Sequence, residues 1–166
     1  MNDNFYIFKT GIGQDSHRFD KTTSKPCILG GVIFPNTNSL IADSDGDVIL
    51  HSICNAISSI SSIPILGGVA IELCKKKITD SKIYLEKAFL TLNKNQQIIH
   101  LAISIEALKP RLQDKINIIK KNIASILKME TSQIGITVTS GDFLTSFGKG
   151  EGIQCITIIT VQEKKI

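Results

Sequence analysis

Tryptophan is absent from this chain of 166 residues, and seven Phe and two Tyr supply all of its aromatic rings. The core must therefore be built mainly from Ile, Leu and Val. None of the four cysteines (Cys27, Cys54, Cys74, Cys155) forms a C-x-x-C pair. They read as reduced, mostly buried thiols. The first residues, Met1-Asn2-Asp3-Asn4, lack a basic stretch followed by an apolar run, so a cytoplasmic protein is expected. Histidine is scarce, at three residues.

A basic stripe is also missing. The formal net charge is +4, and the lysines are scattered among Lys75-Lys76-Lys77, Lys120-Lys121 and Lys164-Lys165. A nucleic-acid binder concentrates its cations on one face; these short runs read as solvated faces, and no nucleic-acid partner is expected. A small polyanionic substrate suits the balance equally well. From Val48 to Ile71 there is no Asp, Glu, Lys or Arg, a stretch long enough to span a bilayer. It also carries His51, Asn55, five Ser and Pro64, followed by Gly67-Gly68 in its second half, and such polar groups are costly in lipid. A buried amphipathic helix followed by a loop is expected, with no membrane partner.

The apolar content of 42% and charged content of 20% describe one globular domain over 1–166. Phe5 to Gly13 reads as a strand. Cys27 to Phe34 reads as a second, bent at Gly30-Gly31 and closed by Pro35-Asn36. Ser44-Asp45-Gly46-Asp47 is a helix-start signal, and Val48, Ile49, Ile53, Ala56, Ile57 and Ile60 then follow a helical stripe. Ile63 to Lys77 is a loop leading into a short helix. Thr79-Asp80-Ser81 starts a helix through about Leu92. Ile98–Ala107 is a strand, Leu112–Met129 an amphipathic helix, and 133–140 and 153–161 are the last strands. This order predicts an α/β (α+β) layer with helices packed on one sheet.

Two of the three histidines fall in recognisable settings. Gly11-Ile12-Gly13-Gln14-Asp15-Ser16-His17-Arg18-Phe19 places Asp15 and His17 two apart, so on a strand both point the same way. Asp47 and His51 are four apart and share a helix face. Bringing the strand end against that helix would converge a carboxylate and two imidazoles, a set that suits Zn²⁺ with one position open. The plainer alternative is a surface Asp, a capped His and a core His, and spacing alone does not choose. Asp43, Asp45 and Asp47 lack the later Glu of a calcium loop and read as cap, turn and a carboxylate that fixes a His tautomer. Gly141 to Gly152 lies between two strands, where its backbone N–H groups could cradle phosphate. Thr139, Ser140 and Asp142 add hydroxyls and a carboxylate there.

Taken together, these residues resemble the 2-C-methyl-D-erythritol 2,4-cyclodiphosphate synthase family. The anchors are Gly11-x-Gly13-x-Asp15-x-His17-x-Phe19, Leu29-Gly30-Gly31-Val32, Ser44-Asp45-Gly46-Asp47-x-x-x-His51, Asp80-Ser81 and Gly148-Lys149-Gly150-Glu151-Gly152-Ile153, in the family's order along nearly the whole chain. The resemblance implies a four-stranded mixed sheet with helices on one face and a homotrimer with active sites between subunits. It implies Zn²⁺ on Asp15, His17 and His51, and Mg²⁺ or Mn²⁺ held by substrate phosphates and Asp142. The implied substrate is 4-diphosphocytidyl-2-C-methyl-D-erythritol 2-phosphate, whose 2-phosphate attacks the β-phosphorus and expels CMP. Residues matching substrate-binding positions are Asp15, Ser16, His17, Asp43, Ser44, Gly67, Ala107, Lys109, Thr139, Ser140, Gly141, Asp142 and Lys149. Ser140 and Asp43 occupy positions of catalytic contact, and Ala107-Leu108-Lys109 matches the cytidine loop.

The departures are local. Asp43 stands where the family commonly has His, and Ile65-Leu66-Gly67 where it has Asp-Ile-Gly. Ala70-Ile71-Glu72-Leu73-Cys74 replaces a Phe-Pro-Asp-Thr-Asp loop. Asp142 replaces a Glu, and Lys149 replaces an Arg, which loses bidentate phosphate recognition. Besides an active cyclase, these changes are compatible with a trimeric metal- and CDP-binding protein that has lost turnover, or with a metal-dependent phosphohydrolase.

Overall fold

The computed structural model describes residues 5–23 and 25–165. Among the described residues, six strands and four helices follow one another as β1 (Tyr6–Arg18), β2 (Pro26–Leu29), β3 (Val32–Asn38), α1 (Val48–Ser61), α2 (Gly68–Lys75), α3 (Ser81–Phe89), β4 (Gln96–Glu106), α4 (Ile116–Leu127), β5 (Ile134–Thr139) and β6 (Gly152–Lys164). The main sheet has the order β1-β6-β4-β5. β6 is antiparallel to both of its neighbours, and β4 and β5 run parallel, so the sheet is mixed as expected.

Alternation explains which face of the sheet is covered. On β6, Ile153, Cys155, Thr157, Ile159 and Val161 are buried, as are Leu101, Ile103 and Ile105 on β4. The residues between them face outward, and on β1 that outer row includes Phe8 (64% exposed) and Ile12 (61%). The inner row lies under α1, nine of whose residues are buried. This position between the sheet and α3 explains the charge-free run as far as Ser61. Among the described residues, no helix is long and apolar enough to cross a membrane.

Close approach of α1 to β1 depends on two glycines. A Cβ on Gly13 would collide with the Ser52 carbonyl oxygen and the Ala56 nitrogen, and one on Gly11 would come within 2.9 Å of Ile60 Cγ1. The helix therefore rests on bare backbone, two and four residues before Asp15.

Asp47 fixes the start of α1. Its carboxylate accepts the N–H groups of Ile49 and Leu50 at 3.2 and 3.1 Å. It also accepts those of Gly30 and Gly31 at 2.8 and 2.6 Å. One fully buried side chain thus caps the helix and fastens the β2–β3 turn to it.

Several boundaries differ from the sequence expectations. β1 runs five residues beyond Gly13, because its last turns alternate polar side chains that carry no apolar signal. The 27–34 segment is a hairpin forming its own two-stranded sheet, and Gly30 and Gly31 both take positive φ at its turn. Pro35 does not close it. β3 continues to Asn38, since a two-stranded ladder leaves room for a residue without an N–H. α3 ends at Phe89 rather than near Leu92. A 3₁₀ turn at Gln113–Lys115 precedes α4.

Candidate active site

Asp15 and His17 lie on the inner row of β1, and His51 lies in the first turn of α1. Asp15 Oδ2 is 2.9 Å from His17 Nε2 and 2.8 Å from His51 Nδ1. The two ring nitrogens are themselves 3.2 Å apart. All three donor atoms lie within 4.8 Å of one another. His51 is buried, and the other two are half-buried.

The charges in this cluster reinforce one another. Burial pushes the Asp15 carboxyl up, but the hydrogen bonds and positive character of His17 and His51 outweigh it and hold it well below the usual carboxylate range. Burial pushes His17 down, but its hydrogen bond and Coulomb attraction to Asp15 prevail and raise it. One carboxylate oxygen and two imidazole nitrogens that converge with a cavity on one side are a donor set that fits a divalent cation with an open coordination position.

That cavity holds about 450 Å³. Asp43, Ser44 and Gly67 line it together with the three donors, and Leu66, Ala70, Ile71, Cys74 and Tyr84 add an apolar wall. The structure thus gathers six of the sequence-derived residues in one place. The changed segment at Ile65–Cys74 enters as α2 and the turn before it. Ile65 itself is buried, so it contributes packing and no polar group.

The remaining residues lie elsewhere. Ser16 is on the opposite, exposed row of β1, so its side chain does not face the cavity. Ala107 and Ser140 line a second cavity, of about 460 Å³, with Leu108, Pro110, Arg111 and Val138. The two cavities share no residue. They lie at the same end of the sheet but toward opposite edges, β1 and β5, roughly 14 Å apart at three strand spacings. Near the second, Thr139 Oγ1 accepts the Gly141 N–H at 3.2 Å, and Ser140 Oγ donates to Asp142 Oδ1 at 3.1 Å. Asp142 and Phe143 both take positive φ there. Lys149 is exposed, and its N–H donates to the Thr145 carbonyl at 2.9 Å. Lys109 Nζ stands 5.5 Å above the Phe19 ring and lines neither cavity.

Sequence reasoning missed two neighbours of His51. Ser81 Oγ is 2.8 Å from His51 Nε2, and the Tyr84 ring stacks on the imidazole at 6.3 Å. The Asp80-Ser81 anchor marked the place without revealing the contact.

With this fold and cluster in view, the protein is a single-domain α+β fold carrying a carboxylate–imidazole group able to hold a metal ion, and comparison with known proteins narrows its class. Residues 8–162 match the YgbB family, and the chain belongs to that family. It is 50% identical over 160 residues to a protein of Chlamydia muridarum named 2-C-methyl-D-erythritol 2,4-cyclodiphosphate synthase, covering 95% of this chain and 90% of that one. The similarly named protein of Chlamydia trachomatis serovar A shares 50% identity over the same spans. Among solved structures, the bifunctional IspDF of Campylobacter jejuni matches with a TM-score of 0.86 at 27% identity, over 96% of this chain and 43% of that one. The CDP complex of Plasmodium falciparum IspF matches with a TM-score of 0.79 at 28% identity, over 95% and 97%.

Proposed function

We propose that this chain cyclises 4-diphosphocytidyl-2-C-methyl-D-erythritol 2-phosphate to the 2,4-cyclodiphosphate and releases CMP, acting as a phosphorus–oxygen lyase of the non-mevalonate isoprenoid route. The observation that carries the reading is the convergence of Asp15, His17 and His51 on one wall of a cavity, in a family member half identical to proteins of that name.

Asp15, His17 and His51 would hold Zn²⁺, and Asp142 would share Mg²⁺ or Mn²⁺ with the substrate phosphates; such cations neutralise a diphosphate and align nucleophile and leaving group. The 2-phosphate oxygen bonds to the β-phosphorus while the bond to the CMP oxygen breaks. No strong base is required, since the nucleophile is already an anion, and holding both ends of one molecule in place supplies much of the rate. Ser140 would donate its hydroxyl to the charge that builds on phosphorus. Backbone groups of Ala107–Lys109 would read cytosine, and Thr139, Gly141 and Lys149 would hold phosphate oxygens. Asp43 and Ser44 would face the substrate across the Asp15 cavity, with Gly67 beside them.

A homotrimer supports this arrangement physically. The metal cluster and the Ala107–Ser140 cavity lie toward opposite edges of one sheet, so neighbouring copies could complete one site. The exposed apolar row of Phe8, Ile12 and Ile158 offers a face for those copies to cover. A cytoplasmic location is part of the same reading and rests on the four cysteines being free thiols.

The test is mass-spectrometric analysis of the product formed from the cytidine diphosphate substrate with Zn²⁺ and Mg²⁺ present. A cyclic diphosphate with equimolar CMP is expected; a linear, water-derived product would instead indicate a phosphohydrolase. A second reading rests on Asp43, a carboxylate on the cavity wall. In a binding protein without turnover, CDP would bind calorimetrically and no CMP would appear. Asp43→His is expected to raise turnover in the enzyme, read as initial rate of CMP release.

A further inference from the structure

The position of the proton on His51 follows from its surroundings. Ser81 is fully buried at the first residue of α3, next to the Asp80 cap. Its hydroxyl is hydrogen-bonded to Asp45 Oδ1, and its N–H donates to Asp45 Oδ2 at 3.1 Å. The Asp47 N–H donates to Asp45 Oδ1 as well, at 3.1 Å. Every group around this carboxylate is a donor, and an ionised carboxylate can only accept. The single proton of the Ser81 hydroxyl is therefore committed to Asp45. What Ser81 Oγ presents to His51 Nε2, 2.8 Å away, is a lone pair. The arrangement that satisfies this lone pair puts a proton on Nε2.

Ser44 does not decide the matter. Its Oγ is 3.2 Å from the same nitrogen and accepts the Gly46 N–H at 3.2 Å, but its own proton is free to rotate. Tyr84, stacked on the imidazole with an interplanar angle of 23°, limits ring tilt and leaves the tautomer open.

The geometry points to Asp45 and Ser81 as a positioning pair that commits His51 to a metal through Nδ1. With a cation between the three donors, an imidazole that keeps its proton on Nε2 would offer the cation the lone pair of Nδ1, the atom facing Asp15 Oδ2 and His17 Nε2. Neither residue of the pair touches the cation. They act by fixing a histidine's hydrogen bond, an effect worth roughly 10–100-fold in affinity where it has been probed. The inference rests on the metal role proposed above for Asp15, His17 and His51.

The experiment compares Zn²⁺ affinity, by chelator competition, in the unaltered protein and in Ser81→Ala. A ¹⁵N spectrum of the histidine rings in the zinc-loaded protein accompanies it. Ser81→Ala keeps the Ser81 N–H bond to Asp45 and is expected to weaken Zn²⁺ binding roughly 10–100-fold with the far-ultraviolet circular dichroism unchanged. In the unaltered protein, His51 is expected to show a protonated, slowly exchanging Nε2 and a metal-bound Nδ1. Equal affinity in Ser81→Ala beside a zinc-binding parent overturns the positioning role alone. A parent protein that takes up no Zn²⁺ overturns both this role and the metal reading. If Ser81→Ala does not fold, the ring spectrum of the parent decides, and metal on His51 Nε2 overturns the proposal.

Discussion

Gly13 touches Ala56 backbone to backbone: the space a side chain would need at Gly13 is taken by the Ala56 nitrogen and the Ser52 carbonyl. The same contact sets the distance between β1 and α1, and hence between Asp15 and His51. Gly13→Ala must push the helix outward. The expected cost is about 3 kcal/mol of stability, the upper range for overpacking, read as a lowered denaturant midpoint with an unchanged slope. Zn²⁺ affinity should fall in the same variant, although no ligand has been altered.

His51→Ala removes one of the three proposed metal donors together with its hydrogen bonds to Asp15 and Ser81. Metal content by atomic emission is expected to drop to background, and CMP release with it. A preparation retaining one Zn²⁺ per chain would show that the donors are elsewhere.

Acidification acts through His17 and Asp15 in opposite senses. Asp15 is depressed below 3.8 in the folded chain, so its contribution to stability is present above that value and is lost as pH falls toward its lowered value. His17 is raised above 6.5, so its contribution is complete below 6.5 and is lost as pH rises through the raised value. Metal-free protein should therefore show its highest melting temperature between these limits as far as this pair is concerned. Zn²⁺ uptake must displace the His17 proton. Affinity is expected to weaken about tenfold per pH unit below the raised His17 value, measurable by competition titrations from pH 8 to 5.5.

Phe8 offers a test of the outer face of the sheet. It is exposed beside β6 and does not line the Asp15 cavity. Phe8→Asp is expected to leave the single chain folded, because nothing in the core changes. If the proposed homotrimer buries this face, the sedimentation coefficient should shift from trimer to monomer, and activity should fall with it.

Much of the site was legible because two local signals carry it. The spacing of two between Asp15 and His17 puts both on one strand face, and the helix-start signal ending at Asp47 puts His51 in the first turn of α1. The alternative of a surface Asp with a capped and a core His is set aside by the 2.8–3.2 Å contacts among the three. The end of β1 was not legible, since Asp15–Arg18 offers no apolar alternation. The hairpin's separation from the main sheet was not either, because pairing partners leave no local mark. Ser81 and Tyr84 reach His51 from 30 or more residues away, through the packing of α3 on α1, which no window of sequence contains. Ser16 sits between Asp15 and His17 in sequence, and the pleat turns its side chain to the opposite row of β1.

The absence of any residue common to the two cavities has a genetic consequence. In the proposed homotrimer with sites shared between copies, a lesion at His51 and a lesion at Ser140 would damage different halves of the site, so two defective copies of the chain brought into one assembly would carry an undamaged set between them. Alleles of this kind would complement one another, whereas two lesions within the Asp15 cluster would not.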